Sequence, residues 1–259
     1  MNLFADTWHM AQRHIRALIR QPWWIAVTLV QPIIWLVLFG GLFTTMEDTP
    51  GWPAGVSFQE FIIPGVIVMT AFFSAGWGGM GMIEDINRGI VDRFLVSPAI
   101  RSSMINGAML ANFLTIAIQS LIVLGLGAVM GASYPGGPLG MLILIMIAGI
   151  VGFGFGAFSY GLALIIRKEE SLIAMMQFLL LPLTFLAAAF IPLSLAPDWI
   201  ADVAKFNPVN WAIEAGRSAL IDTDPDWNLI LTRTGFLLVF GALMATFATR
   251  AFRSYQRTV

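Results

Sequence analysis

The chain lacks cysteine, has only two histidines, and carries few charges: Asp, Glu, Lys and Arg make up 11% of its 259 residues. Without cysteine there can be no disulfide, thiolate metal site or cysteine nucleophile. A soluble domain averages about 25% charged residues, so water is not the main solvent here. The net charge of −1 gives nucleic-acid binding no electrostatic support. Lys168 and Lys205 are the only lysines, and no Gly-x-x-x-x-Gly-Lys-Ser/Thr stretch occurs. The chain therefore has no phosphate-cradling loop of that kind.

What is abundant is apolar sequence, at 58% of residues. Five runs contain no Asp, Glu, Lys or Arg: 25–43, 61–83, 104–130, 139–166 and 172–193. A sixth, 229–248, carries only Arg233, near one end. A helix needs about 20 apolar residues to cross the roughly 30 Å hydrocarbon core. The expected fold is an all-α polytopic membrane protein with six transmembrane helices, which consume most of 1–259 as one transmembrane domain. No apolar region of signal-peptide type precedes a small-residue cleavage site, so the first span is expected to be retained.

The charges between the runs are sorted by sign. Arg13, Arg16 and Arg20, then Arg88, Arg93 and Arg101, then Arg167 and Lys168, then Arg250, Arg253 and Arg257 all fall on one side. The other side holds Lys205, Arg217 and Arg233 with nine acids: Glu47, Asp48, Glu60, Asp198, Asp202, Glu214, Asp222, Asp224 and Asp226. The positive-inside rule then places both termini in the cytoplasm.

Residues 3–20 read as an N-terminal amphipathic interfacial helix. Phe4, Trp8, Ala11, Ile15, Leu18 and Ile19 fall on one face, with the arginines away from it. Such a helix lies in the headgroup plane, ends at Gln21-Pro22, and hands over to the first span at Trp23-Trp24. Spans 2 and 4 are glycine-rich, which serves close helix packing or, alternatively, a hinge. Pro32, Pro64 and Pro182 lie inside spans and should kink them. The turn between spans 3 and 4 is Ser133-Tyr134-Pro135-Gly136-Gly137-Pro138.

Two connections are long enough to carry function. In the cytoplasmic one, acids begin a stretch in which Ile86, Ile90, Phe94 and Leu95 repeat at helical spacing, and Ser97-Pro98 stops it. A short surface helix over Glu84–Val96, apolar on one side and charged on the other, suits docking into a partner's groove. In the external one, Asn207-Pro208 begins a helix on which Glu214 and Arg217 can pair. Before it, Pro192, Pro197-Asp198 and Trp199-Ile200 predict a broken or re-entrant segment, whose irregular backbone at membrane depth would need protein cover.

On these features the chain resembles the ABC-2-type membrane subunits of bacterial ATP-driven exporters, especially the daunorubicin-resistance-like drug exporters. Length, six spans and the interfacial helix agree along essentially the whole chain. Two segments carry the likeness: Glu84-Asp85-x-x-Arg88-Gly89 running on to Arg93, Phe94, Leu95, Ser97, Pro98 and Arg101, and Asn207-Pro208 followed by Glu214 and Arg217. The chain departs at Gly107-Ala108, where family members often have Gly-Lys. The resemblance implies a location in the bacterial plasma membrane and two copies of this subunit, or one with a related permease, joined to two copies of a cytoplasmic ATPase. The chain itself would need no cofactor, ATP and Mg belonging to the ATPase. The ten residues of the first segment would couple to that ATPase, and Asn207, Pro208, Glu214 and Arg217 would form an external gate. The cargo implied is a small amphipathic drug or a lipid-like or glycolipid molecule. Phe72, Phe73, Trp77, Met80, Met175, Met176, Gln177 and Phe178, on spans 2 and 5, are the candidate translocation path, since aromatic and methionine surfaces adapt to varied apolar ligands.

Other classes explain less. A proton-coupled secondary transporter would place ionisable relays inside its spans and show repeated halves with discontinuous helices; His9 and His14 are both N-terminal, and no repeat is evident. An intramembrane enzyme would need a metal-ligand spacing or a Ser-His arrangement. A membrane assembly factor fits the hydropathy and leaves both informative loops unexplained.

Overall fold

The computed structural model describes residues 22–91 and 102–256, and all their regular structure is helical. The longer helices are α1 (Pro22–Ile34), α2 (Phe58–Gly76), α3 (Gly78–Asn87), α4 (Ser102–Val129), α5 (Gly137–Ile166), α6 (Glu169–Phe185), α7 (Asp198–Ala204), α8 (Pro208–Ile221) and α9 (Trp227–Tyr255). Among the described residues, four stretches are long and apolar enough to cross a membrane: Phe58–Asn87, Gly107–Val129, Gly137–Ile166 and Trp227–Tyr255. The expected interfacial helix over 3–20 lies outside the described residues.

Two of the expected spans take another form. After α1 the chain widens into a π-helical turn, Trp35–Phe39, before ending at Leu42. Pro32 cannot donate to the carbonyl one turn back, and such wide turns absorb irregular registers. The fifth run was expected over 172–193, but α6 ends at Phe185. At 1.5 Å per residue its 17 residues cover about 25 Å. Nothing between Leu186 and Ile191 is a helix breaker by composition. The termination comes from outside the segment: the Asn207 side chain donates to the carbonyls of Leu183 and Leu186, both at 2.8 Å.

Helix α2 starts with a reciprocal cap. Ser57 Oγ accepts from the Glu60 backbone N–H, and Glu60 Oε2 accepts from Ser57 N–H, two otherwise orphaned donors satisfied together. Glu47 Oε1 accepts from Phe58 N–H at 2.8 Å. The helix breaks at Trp77, where the buried Ser159 hydroxyl inserts: it donates to Gly76 O at 2.5 Å and accepts from Gly79 N–H at 3.0 Å. A side chain inserted into the helical ladder is a recognised cause of a kink.

Helix α5 is the centre of the bundle, packed against α2, α4, α8 and α9. Its glycines are there for approach. A Cβ at Gly149, Gly152, Gly154 or Gly161 would stand 2.2–2.6 Å from Phe113, Ile116, Phe240 or Phe247. These glycines therefore pack large side chains against a bare backbone.

The connections sort to the two ends of the bundle. At one end Ser133 N–H and Oγ–H donate to Glu60 Oε1 at 2.8 and 2.5 Å, Gly136 N–H donates to Leu220 O, and Ser194 Oγ donates to Gly51 O. At the other, the Arg167 guanidinium stands 4.6 Å over the Tyr255 ring. The outer face of α1 and its continuation is bare and apolar: Val27, Val30, Ile34, Val37, Leu38 and Leu42 are exposed.

Candidate functional site

Helix α8 begins where the sequence places it. Asn207 caps it, its Oδ1 accepting from Val209 N–H at 2.9 Å. Pro208 takes the first helical position, where its missing N–H costs nothing. Asn210, fully buried, accepts from Ala188 N–H and donates to Glu214 Oε1, both at 2.9 Å. Arg217 donates through Nη2 to Ala188 O at 2.6 Å and through Nε and Nη2 to Phe61 O at 3.3 Å. Its Cζ also sits 3.6 Å from the Phe61 ring centroid, a cation–π geometry.

These contacts satisfy the backbone where α6 ends. The carbonyls and N–H that α6 abandons at 183–188 are taken by Asn207, Asn210 and Arg217 of α8. A buried polar group left unpaired costs about 1–3 kcal/mol, so the irregular backbone depends on these three side chains. Ala189 lies against Gly65, where a Cβ would come within 2.6 Å of the Ala189 carbonyl. Burial pulls the Arg217 guanidinium down to about 9, while Glu214 and Asp222 push it up; it remains a cation at neutral pH. Burial, with Glu60 adding, pushes the Tyr134 hydroxyl up to about 12, which keeps it a donor to Leu124 O.

The expected Glu214–Arg217 pair does not form. Glu214 pairs instead with Arg233 on α9, Oε2 to Nε 2.8 Å, the two side chains 20% and 23% exposed. The three-residue spacing puts both residues on α8, but Arg217 turns to backbone carbonyls and leaves Glu214 to the only charge within the last apolar run. Arg233 and Asn210 were not among the sequence's candidates. The signal for Arg233 was available, since an ionisable residue inside a span marks a functional position with a partner.

The expected surface helix over Glu84–Val96 is divided. Glu84 and Asp85 lie in the last turn of α3, continuing from span 2 rather than opening a new helix. Arg88 caps α3, Gly89 adopts φ +65°, and helix resumes at Ile90-Val91. A left-handed residue ends a helix readily when it is glycine; the apolar repeat of Ile86 and Ile90 could not show that. Arg88 and Glu84 pair at 2.5 Å on the surface, a contact of little energetic weight. Arg93, Phe94, Leu95, Ser97, Pro98 and Arg101 lie outside the described residues.

The eight path candidates are not brought to one surface. Phe72 and Met176 are buried: Phe72 packs edge-on to Phe155 at 4.5 Å, and Met176 lies against Gly76. Met175, Gln177 and Phe178 are exposed on the outside of α6. Met80 is half-buried on α3. Phe73 and Trp77 line a pocket of about 120 Å³ between α1, α2 and α4, with Thr28, Gln31, Trp35, Thr70, Ser74 and Gln119 around it.

The family model described as ABC-2 type transporter matches residues 5–221. The chain is 30% identical over 221 residues to ycf38 of Porphyra purpurea, named as a transport permease, covering 85% of this chain and 74% of that one. It is 25% identical over 232 residues to the daunorubicin resistance ABC transporter permease protein DrrB1 of Streptomyces coeruleorubidus, covering 88% and 78%. It is 23% identical over 189 residues to DrrC of Mycobacterium tuberculosis, named as a doxorubicin resistance ABC transporter permease protein, covering 73% and 67%.

Proposed function

The chain belongs to the ABC-2 type transporter family, and on that premise we propose that it is the permease of an ATP-driven exporter of amphipathic drugs or lipid-like molecules. It is a multi-pass membrane protein and a non-enzymatic ABC transporter subunit. The finer reading rests on one observation above others: a chain matched to this family over residues 5–221 has no phosphate-binding loop anywhere in its sequence. In this reading energy arrives through contact with an ATPase. Two such subunits would serve a pair of permeases, with both termini in the cytoplasm of a bacterial cell and six spans in each permease.

In this reading the end of α3 and the segment after it receive the ATPase. Glu84, Asp85, Arg88 and Gly89 form the junction, and Arg93, Phe94, Leu95, Ser97, Pro98 and Arg101 enter the groove. A push at Gly89 travels along α3, about 15 Å of rigid helix, to the break at Trp77. At the external end, α8 holds the exit closed through Asn207, Asn210, Glu214 and Arg217. Opening requires α8 to move against α6 and α9, exchanging one set of buried partners for another. Phe73 and Trp77, which line the pocket between α1, α2 and α4, are the proposed path residues.

The reading is tested in inverted membrane vesicles containing the chain and its co-purifying ATPase. Uptake of a fluorescent amphipathic drug that requires hydrolysable ATP supports it. Uptake driven by a proton gradient and indifferent to ATP would replace it with a secondary transporter.

A further inference from the structure

The break between α2 and α3 is held by a side chain from a third helix. In an unbroken helix each N–H bonds to the carbonyl four residues back, so Met80 N–H belongs on Gly76 O and Gly79 N–H on Ala75 O. Instead Met80 N–H donates to Trp77 O at 3.1 Å, and Gly79 N–H donates to Ser159 Oγ at 3.0 Å. Gly76 O receives the Ser159 hydroxyl at 2.5 Å. Ser159 is fully buried on α5, and its one hydroxyl can donate and accept at once. The approach is to bare backbone, because a Cβ at Gly79 would stand 2.5 Å from the Ser159 carbonyl oxygen.

We infer that Ser159 is the positioning residue of a hinge, holding the break open until the helix ladder takes its place. Closing the break exchanges partners one for one. The open form has three bonds: Met80 N–H to Trp77 O, Gly79 N–H to Ser159 Oγ, and Ser159 Oγ–H to Gly76 O. In the closed form Met80 N–H moves to Gly76 O and Gly79 N–H to Ala75 O. The released hydroxyl turns to Phe155 O, four residues back on α5, a bond that helical serines make. The balance matters in hydrocarbon, where an N–H or C=O left unpaired is costly. Two arrangements with equal numbers of bonds suit an element that switches between discrete states. Closing the break also re-aims α3, whose ten residues span about 15 Å. A change of about 20° there carries Asn87, at its far end, about 5 Å. Ser159 thereby sets the resting position of the Glu84–Gly89 junction. The purpose of the hinge rests on the exporter reading, while its test involves no nucleotide.

The chain has no cysteine, so Asn87→Cys on α3 and Arg250→Cys on α9, both exposed, take spin labels without background. Dipolar distances between the labels are measured on the full chain in nanodiscs, with and without Ser159→Ala. Loss of the hydroxyl removes both bonds that Ser159 makes to the open break and neither ladder bond of the closed one. The main distance should therefore shift by about 5 Å. Met80→Pro removes an N–H that the closed ladder needs, and its ring clashes with the carbonyl four residues back. Added to Ser159→Ala, it should restore the original distance. An unchanged distance in Ser159→Ala, even with a lowered melting temperature, would overturn the hinge and leave Ser159 a structural tie. A shift that survives Met80→Pro would overturn it as well, because the movement would not come from a restored ladder. Either result would leave the ATP-driven reading standing, just as the lack of an ATPase would leave the shift standing.

Discussion

Arg233 reaches from α9 to Glu214 on α8, Nε to Oε2 2.8 Å, through a region where each side chain is about one-fifth exposed. Truncating one member leaves the other's charge largely buried. A fully buried broken pair costs about 3–5 kcal/mol; the partial exposure here lowers the expectation to about 1–3 kcal/mol. Glu214→Gln and Arg233→Gln should each lower the melting temperature in detergent, and the double variant should lose much less than their sum. The coupling should exceed that between Glu214→Ala and Arg217→Ala, two residues whose polar groups pair elsewhere. The reverse ranking would return Arg217 to the role of Glu214's partner.

Arg217→Lys should be destabilising although it keeps the charge. One ammonium cannot reproduce the fork that meets Phe61 O and Ala188 O together, nor the stacking on Phe61. A loss of about 1–3 kcal/mol is expected, with accelerated proteolysis of the 186–192 segment. Unaltered melting and cleavage would mean that the backbone after α6 does not depend on this side chain.

Two glycines two residues apart on α3, Gly79 and Gly81, should behave oppositely. A Cβ at Gly79 would stand 2.5 Å from the Ser159 carbonyl oxygen, whereas at Gly81 nothing lies within 4 Å. Gly79→Ala should therefore abolish a monodisperse gel-filtration peak, and Gly81→Ala should retain it and gain slightly in helix propensity. Equal tolerance at both positions would show that Ser159 does not occupy the break.

Much of this architecture was legible as hydropathy and punctuation. Asn207-Pro208 announced a helix start, and the start is there; the glycines of α5 announced close approach, and large side chains fill the space. What was hidden depends on partners distant in sequence. Leu186–Ile191 looks like the rest of an apolar span, yet α6 ends early where Asn207, Asn210 and Arg217 take its backbone groups. Glu214 and Arg217 stand at pairing distance on paper, yet Arg233 and the Phe61 carbonyl compete for them.

Arg93→Glu and Leu95→Asp should leave membrane insertion unchanged and uncouple ATP hydrolysis from transport, because a docking helix needs both its charge and its apolar anchor. Vesicle uptake that falls at least about tenfold while the chain remains in the membrane is the expected signature, equivalent to about 1.4 kcal/mol of lost coupling. Normal uptake in both variants would remove the segment from the coupling interface.

The central claim is that the chain works with a separate ATPase, and mild-detergent pull-down of the tagged chain from its native membrane addresses it directly. The account predicts a stoichiometric ATPase subunit, with ATP hydrolysis in the eluate, that is lost on Arg93→Glu. A clean, folded preparation with neither an ATPase subunit nor hydrolysis would contradict it.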